Sequence, residues 1–594
     1  MAQSPVNSKT DLITFTILAD GTEIDSSYEV LSIHVTKSIN QIPGATVILL
    51  DGNAAKSDFE VSNKADFLPG VDIEIKAGYH SKESTIFKGI VVRHGITASD
   101  SGSELKLDCK DKAYKMTIGR KNAYYLDKKD SDIISSLVSG SGLQVDVDAT
   151  TYQHKSMLQY HATDWDFLMT RAEANGLITV VNDGEVSVKK PDTSTSPDLV
   201  ISYGSDMLEF SAEIDSSNPL KSIKGFSWDS STQKVVNGAG KASIIINGNL
   251  TTDTLSEVLG IEDFDLQSNG MIEAADLKNW AIAKDVKAKL SAIQGYVKFQ
   301  GSSLALPGKM IQLKGVGDRF NGNAFISAVH HAIEDGQWTS EVEFGIDNTW
   351  YIEDKPNVSS VPASGLLPAV SGLQIGIVKQ VHEDPDGSFR VLTKIPILQQ
   401  DKEALWCRLA TYYASNECGN FFYPEVDDEV ILGFMNDDPR YPVILGSVYS
   451  KKNKAPLTPE QKNEKKAIIT KSKLELSFDE QNKVIVIKTP GNNQITISDK
   501  DEGIKLEDQN SNSITLDSSG IALDSASNIA IKSQGNVTIE AEGNLEQTAK
   551  ANVAVNGLKI DCMAKTSFIA KGNASAELSA SGQTEVKGSI VMIN

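Results

Sequence analysis

Residues 521–555 read IALDSASNIAIKSQGNVTIEAEGNLEQTAKANVAV, and their spacing decides how the last part of the chain folds. Ile521, Ile529, Val537, Leu545 and Val553 recur every eight positions, and Asn528, Asn536, Asn544 and Asn552 keep the same register. Apolar–polar–apolar triplets extend the pattern upstream through Ile514-Thr515-Leu516, Ile504-Lys505-Leu506, Ile495-Thr496-Ile497 and the all-apolar Val484-Ile485-Val486. A short unit of one strand and one turn, repeated at a fixed period, is the mark of a β-solenoid or β-prism. A single chain coiled with so few residues per turn encloses too small a cross-section for a packed core. The calcium-binding nonapeptide pattern, in which metal fills the turns, is absent. Three chains wound on one axis bury the stripes against one another, and each Ile or Val buried is worth roughly 1.5–3 kcal/mol over exposure. The expectation for 467–594 is therefore an intertwined trimeric β-prism or β-helix spike. Its trimer core would be Ile521, Ile529, Val537, Leu545 and Val553.

Working outward, Lys451 to Lys466 is polar, lysine-rich and contains proline, as a linker does. Residues 366–450 hold about five short strands, including apolar runs at 430–434 and 443–448 and a turn at 382–388. That content fits a small OB-fold-like barrel. Glu353 to Gly365 reads as another linker. Residues 1–355 are mainly β, with alternating runs such as Val71-Ile73-Ile75, Leu105-Leu107-Cys109 and Leu143-Val145-Val147. Two helices interrupt them. One starts at Thr163, with Trp165, Leu168, Met169 and Ala172 on one face and Gly176 as its stop; the other spans roughly 271–292. The fold class expected is mainly β: a hub-like β-barrel domain with packed helices, an OB-like barrel and the spike.

The chain has 594 residues, enough for several cores without disulfide staples. Its 79 Asp+Glu against 57 Lys+Arg give a net charge of −22, a surface that repels phosphate and speaks against nucleic acid as a partner. The four cysteines form no CxxC pair, and Cys109 and Cys407 fall in phase with buried strand positions. The start, MAQSPVNSKTDLITF, lacks the apolar core of a signal peptide. Synthesis in the bacterial cytoplasm without a cleaved signal is expected.

Few residues are arranged for chemistry. Adjacent His330 and His331 point to opposite faces of a strand and cannot share a site. His382-Glu383 lacks the second histidine of HExxH, and Gly238-Ala239-Gly240-Lys241 lacks the Ser/Thr of a P-loop. Asp263-Phe264-Asp265 begins like a calcium loop but has Ser268 where glycine is required. Asp427-Asp428 and Asp437-Asp438 read as turn formers. The expectation is no enzyme, no catalytic residue, no metal ligand and no cofactor, with an axial metal in the spike left unread.

Three stretches carry a resemblance to a known family. The first is Gln159-Tyr160-His161-Ala162-Thr163-Asp164-Trp165-Asp166-Phe167-Leu168, continuing from Arg171 to Leu177; the second runs from Tyr423 through Glu429 to Phe434 and on through Asp438-Pro439 to Tyr449; the third is the repeat tail. Together they resemble the VgrG-like spike proteins of contractile injection systems, which are similar to the hub and spike of contractile phage tails. Asp164, Trp165, Phe167, Leu168, Glu429, Asp438 and Pro439 stand at signature positions. Asp427 and Asp437 depart from the family, which often has glycine there; aspartate tolerates the left-handed conformation such turns need. The resemblance implies a homotrimer at the end of an inner tube, with a tube ring protein, baseplate components and effector cargo as partners. It also implies a PAAR-type tip protein, and the apolar end Val591, Met592, Ile593 and Asn594 is the expected docking point. No enzyme domain fits between barrel and spike, and none is expected after Asn594. The particle is either released or held in a type VI apparatus, with a lean to the former. Two other readings compete: a trimeric adhesin or carbohydrate-binding fibre, for which the tail has too few aromatics, and a β-helical polysaccharide-degrading enzyme, for which the repeat faces lack clustered Asp, Lys or Arg.

Overall fold

The computed structural model describes residues 2–6, 12–100, 102–400 and 402–593. Its contacts divide into two units, Met1–Val448 and Tyr449–Asn594. The first is built on a 13-stranded, mostly antiparallel sheet. From one edge it runs through Met207–Ile214, Ile293–Gln300, Gln337–Phe344, Gly322–Glu334, Val30–Ser38, Gly44–Leu50, Gly102–Lys110, Lys82–Ser99, Asp72–Tyr79 and Ile13–Ala19. Period-two alternation explains its curl around two apolar cores. Ile33, Val35, Val47, Leu49, Ile75, Phe87, Leu105 and Leu107 fill one, and Val297, Phe299, Ile311, Ile326, Val329 and Val342 fill the other.

Both expected helices are present. Asp164–Ala174 is capped by Thr163, whose Oγ1 accepts from the Asp166 backbone N–H at 3.0 Å. Gly176, at φ +67°, ends it in a conformation that favours glycine, and a Cβ there would sit 3.2 Å from the Ala283 Cα. The second helix is Ala274–Leu290. A third, Asp130–Gly140, escapes the sequence reading. Its signal was present in Ile133, Ile134, Leu137 and Val138, which are all buried. Lys129 stands at its N-cap in place of the usual Ser, Thr, Asp or Asn; Asp132 reaches back to take the Lys129 N–H at 3.2 Å, and Thr150 Oγ1 takes the Ser131 N–H at 3.1 Å. The helices Asp130–Gly140 and Asp164–Ala174 are tied through Asp130: its carboxylate accepts from Arg171 at 2.6 and 2.9 Å and from Asn175 at 2.8 Å, with His154 at 3.1 Å. The arginine holds the carboxyl below its usual range against the pull of burial.

The P-loop-like stretch also finds its explanation here. Gly238 lies in the strand Lys234–Ala239 against the helix Ala274–Leu290, where a Cβ would meet the Ala274 carbonyl at 2.6 Å. Glycine serves close helix–sheet packing at this point, not phosphate binding.

The OB-like unit is a closed five-stranded barrel. Gln374–Gln380 pairs with Val391–Lys394, then Leu405–Leu409, Pro442–Ser447 and Glu429–Phe434, which returns to the first strand. Val378, Val391, Cys407, Val430, Leu432 and Ile444 fill it. Cys109 and Cys407 are both buried, and burial pushes their thiols up to about 12 and about 11. The turn after the first strand is built on Asp384, which accepts from the backbone of Asp386, Ser388 and Arg390 and from the Arg390 guanidinium. Asp427 and Asp437 both take positive φ, at +72° and +56°.

His330 and His331 face opposite ways, as strand geometry requires. His330 meets Glu343 at 2.9 Å on the open face, while His331 is buried, with Nδ1 2.8 Å from Ser340 Oγ and its ring against Trp338. Burial first, then the nearby Lys37 and His330 charges, drives the His331 pKa down to about 3. An unfolded histidine titrates near ~6.5, so the unfolded chain takes up this proton first. The contribution is complete above about pH 6.5 and is lost as pH falls toward 3. Denaturant midpoints measured across that window should decline for the native chain, and His331→Gln should flatten the decline. Leu168→Ala, in the fully buried centre of the helix cluster, should cost about 2–5 kcal/mol in the same measurement.

Candidate functional site: two exposed apolar columns

The second unit opens with a seven-stranded antiparallel meander. Its strands are Lys465–Ile469, Glu475–Asp479, Val484–Lys488, Gln494–Ser498, Gly503–Glu507, Ser513–Asp517 and Gly520–Asp524. Each is five residues long and most are joined by a tight polar turn. Side-chain acceptors close the turns. Asp479 takes the Asn482 N–H at 3.0 Å, Asp508 takes those of Asn510 and Asn512, and Asp517 takes that of Ser519. The hydrogen bonds from Asn512 and its neighbours hold the Asp508 carboxyl below its usual range, and those from Ser519 do the same for Asp517. Lys473, Lys483, Asn492, Glu502 and Ser511 adopt positive φ at the turns.

The register turns the triplets into two columns. Leu476, Ile487, Ile495, Leu506, Ile514 and Leu523 are successive cross-strand partners. Beside them Phe478, Ile485, Ile497, Ile504, Leu516 and Ile521 are paired in the same way. Both columns lie on one face, since their members alternate with Ser477, Val486, Thr496, Lys505, Thr515 and Ala522. Of the first triplet, therefore, only Ile485 belongs to the columns; Ile487, two positions on, carries the other column, and Val484 and Val486 face the other way.

Except for half-buried Leu476, every member of these columns is exposed in the single chain. A hollow of about 610 Å³ runs along the face, lined by Ile487, Ile495, Leu506, Ile514, Leu523 and Ile529. So long an apolar stripe, left in water, is far beyond what a monomeric protein tolerates. Directly opposed apolar pairs also stabilise the sheet that presents them.

Of the five residues expected to form the trimer core, Ile521 sits at the end of the second column. Ile529, Val537, Leu545 and Val553 lie beyond the last strand, each more than half exposed, and Ile531, Ile539 and Val555 are exposed two positions later. Upstream of Ile521 the tail differs from a repeating coil: it is a within-chain meander. From Val484 to Ile521 the steps between triplets are eleven, nine, ten and seven residues, with polar turns that close each hairpin, whereas beyond Ile521 the step is a constant eight and no paired strand follows among the described residues. At the far end Val591, Met592 and Ile593 are exposed, and Asn594 lies outside the described residues.

The signature residues are structural. Asp164 is buried and accepts from Lys121 and from Gln159, the latter at 3.1 Å. Trp165 and Leu168 are core residues, and Phe167 stacks on Tyr125. Glu429 opens the fourth barrel strand in sequence. Asp438 accepts from the Arg440 backbone N–H at 2.9 Å and from its guanidinium, which lowers the carboxyl's pKa, and Pro439 completes that turn. Among the described residues no three His, Cys, Asp or Glu side chains are grouped to hold a metal ion, and no helix is long and apolar enough to cross a membrane.

Three family models match along the chain. Residues 9–335, more than half of it, match the Alg8 N-terminal domain. Residues 374–449 match the type VI secretion system/phage-baseplate injector OB domain, and 484–546 match the phage baseplate V C-terminal trimerisation domain. The chain belongs to the Alg8 N-terminal domain family and is a VgrG-like spike protein. The spike is similar to the type VI secretion system spike protein VgrG3 of Vibrio cholerae, 39% identical over 56 residues, or 9% of this chain and 6% of the relative. It is also similar to VgrG5 of Pseudomonas aeruginosa, 30% identical over 96 residues, or 15% and 12%. The spike thus matches only a small part of the length of these curated relatives. Among solved structures it is similar to the 43 kDa tail protein of prophage MuSo2 from Shewanella oneidensis, with 12% identity, TM-score 0.43 and coverage of 57% and 98%. The Escherichia coli c3393 protein, a type VI secretion component, gives 13% identity and TM-score 0.37, with coverage of 73% and 99%.

The trimerisation match covers nearly all of both columns, from Ile485 to Leu523. The two observations meet on one prediction. Placing charges at Ile497→Asp, Leu506→Asp and Val537→Asp should reduce the light-scattering mass of the full chain from three copies to one, because three such stripes cannot bury unpaired carboxylates. Thr496→Asp and Thr515→Asp, on the opposite face, should leave the mass unchanged.

Proposed function

We propose that this spike is the structural puncturing element of a contractile injection system. Three copies stand at the end of the inner tube on a ring of tube protein, held by baseplate components, and the tail is driven through a target envelope. The pair of unbroken apolar columns is the observation that carries the reading. Three such faces closed on one another make a shaft with a dry core and few free edges, in which many strands must part together before any one unfolds. That mechanical durability suits puncture and has no use in a dissolved monomer. The work is done by sheath contraction, so the spike needs no catalytic group, metal or cofactor of its own. Cargo, on this reading, travels with the spike and is not made by it.

A PAAR-type tip protein is proposed to cap the apolar end at Val591, Met592, Ile593 and Asn594. Three copies brought together there present an apolar triangle that favours a covered state. In pull-downs with the cognate tip protein, Ile593→Asp should abolish capture while the three-copy mass persists. Capture by the variant would overturn this docking. For the spike role itself, particles purified from cells lacking the chain should lack the central needle in electron micrographs and fail to breach target cells. Needles and activity that persist would overturn it.

A further inference from the structure

The barrel carries an aromatic hairpin that the spike role leaves unexplained. Ala414–Ser415 pairs with Cys418–Gly419, and the base is pinned by the Asn420 N–H to the Tyr413 carbonyl at 2.8 Å and by Asn420 Nδ2 to Thr411 Oγ1 at 3.2 Å. Tyr423 next to it packs its ring against Phe421 in a tilted pair, centroids 4.9 Å apart, and donates its hydroxyl to the Phe389 carbonyl at 2.9 Å. The hairpin is thus held in place, yet its rings point away from any cover. Tyr412 is 87% exposed and Phe421 80%, with Tyr413 and Phe422 more than half exposed, and Phe389, on the neighbouring turn whose carbonyl takes the Tyr423 hydroxyl, is 77% exposed. An aromatic side chain buries about 150–250 Å² when packed, so five of them exceed the ~300–600 Å² of the largest patch on a typical monomer.

A second apolar surface lies on the outer wall of the same barrel. Ile375 is paired with Ile431 there, and Leu445 and Leu373 flank Gly433, whose missing Cβ leaves a hollow 3.5 and 3.8 Å from those two leucines. Leu373, Ile375 and Leu445 are exposed. Leu373, Ile375, Ile431, Gly433 and Leu445 carry no charge, Glu429 borders them on the same outward face, and Glu417 is the one charged residue of the hairpin. Charge depletion of this kind marks the centre of protein interfaces.

We propose that the aromatic hairpin of one copy docks on the aliphatic outer wall of the barrel in the next copy, an inference that rests on the trimer reading above. The tether argues for a copy of this chain as occupant. Only Val448–Glu464, seventeen residues, separates the last barrel strand from the first tail strand. At ~3.3–3.6 Å per residue that leash reaches at most roughly 60 Å, so three barrels fixed to one trimerised tail meet at an effective concentration of order millimolar. Donor and acceptor are different surfaces of one barrel. The contact is therefore head-to-tail, and threefold rotation closes it into a ring.

Cys418 lies on the hairpin and is exposed, whereas Cys109 and Cys407 are buried, so it serves as a handle. The test uses the full chain with Cys562→Ser to remove the other exposed thiol, with and without Leu445→Cys, treated with a short bis-maleimide. The expected result is a covalent three-chain band on denaturing gels that depends on Leu445→Cys and is lost when Tyr412→Ser and Phe421→Ser are added. Light scattering should report three copies throughout. A three-copy mass without the band, a cross-link confined within one chain, or a band that survives loss of the rings would each overturn the docking and leave the trimer standing. A one-copy mass would overturn the trimer reading, and the docking with it.

Discussion

Everything in the tail follows from the pairing of isoleucine, leucine and phenylalanine across adjacent strands. From Leu476 to Leu523 and from Phe478 to Ile521 the partners are apolar at every step, without a polar interruption. The backbone needs of those strands are met within the chain, so the sheet forms alone. The side-chain needs are not. One face of a single sheet has nothing to bury against, and the free energy of removing it from water grows with every strand added. Association is therefore built into the sequence as the way that cost is relieved.

The first unit obeys the opposite rule. Its large sheet closes on its own cores, two of its helices are tied together by the Asp130–Arg171 pair, and its small barrel buries Val378, Val391, Val430, Leu432 and Ile444 without help. What remains exposed there is local, such as the rings from Tyr412 to Phe422. The chain thus divides its labour between a self-sufficient part that presents surfaces and a dependent part that needs partners.

Much of this was legible from residue order. Period-two alternation located the strands around Ile73, Leu107 and Val145, the Thr163 cap and Gly176 stop bounded a helix, and the barrel's apolar runs fell on strands Glu429–Phe434 and Pro442–Ser447. The aspartates at 427 and 437 occupy left-handed turns, a conformation that this residue type tolerates. Four things were not legible. The helix Asp130–Gly140 has lysine where a capping side chain is usual. The meander was masked by the octads that follow, because triplets look alike whether their strands pair within a chain or between chains. The phase of Val484-Ile485-Val486-Ile487 was ambiguous because an all-apolar run has no alternation to read. The hairpin of Tyr412 to Phe422 gave no periodic signal at all, and only exposure reveals it.

The meander also bears on how three identical tails find one another. Octads are nearly interchangeable, so three of them zipped from a random start could slip by a whole repeat and be trapped out of step. The hairpins upstream are local in sequence, close quickly and differ from one another, with Phe478 at one end and a broken triplet at Val484. A sheet already folded in each chain offers a single best alignment to its neighbours. It can act as the nucleus from which the degenerate repeats wind toward Ile593, so that the least distinctive sequence in the molecule is assembled last and in the correct phase.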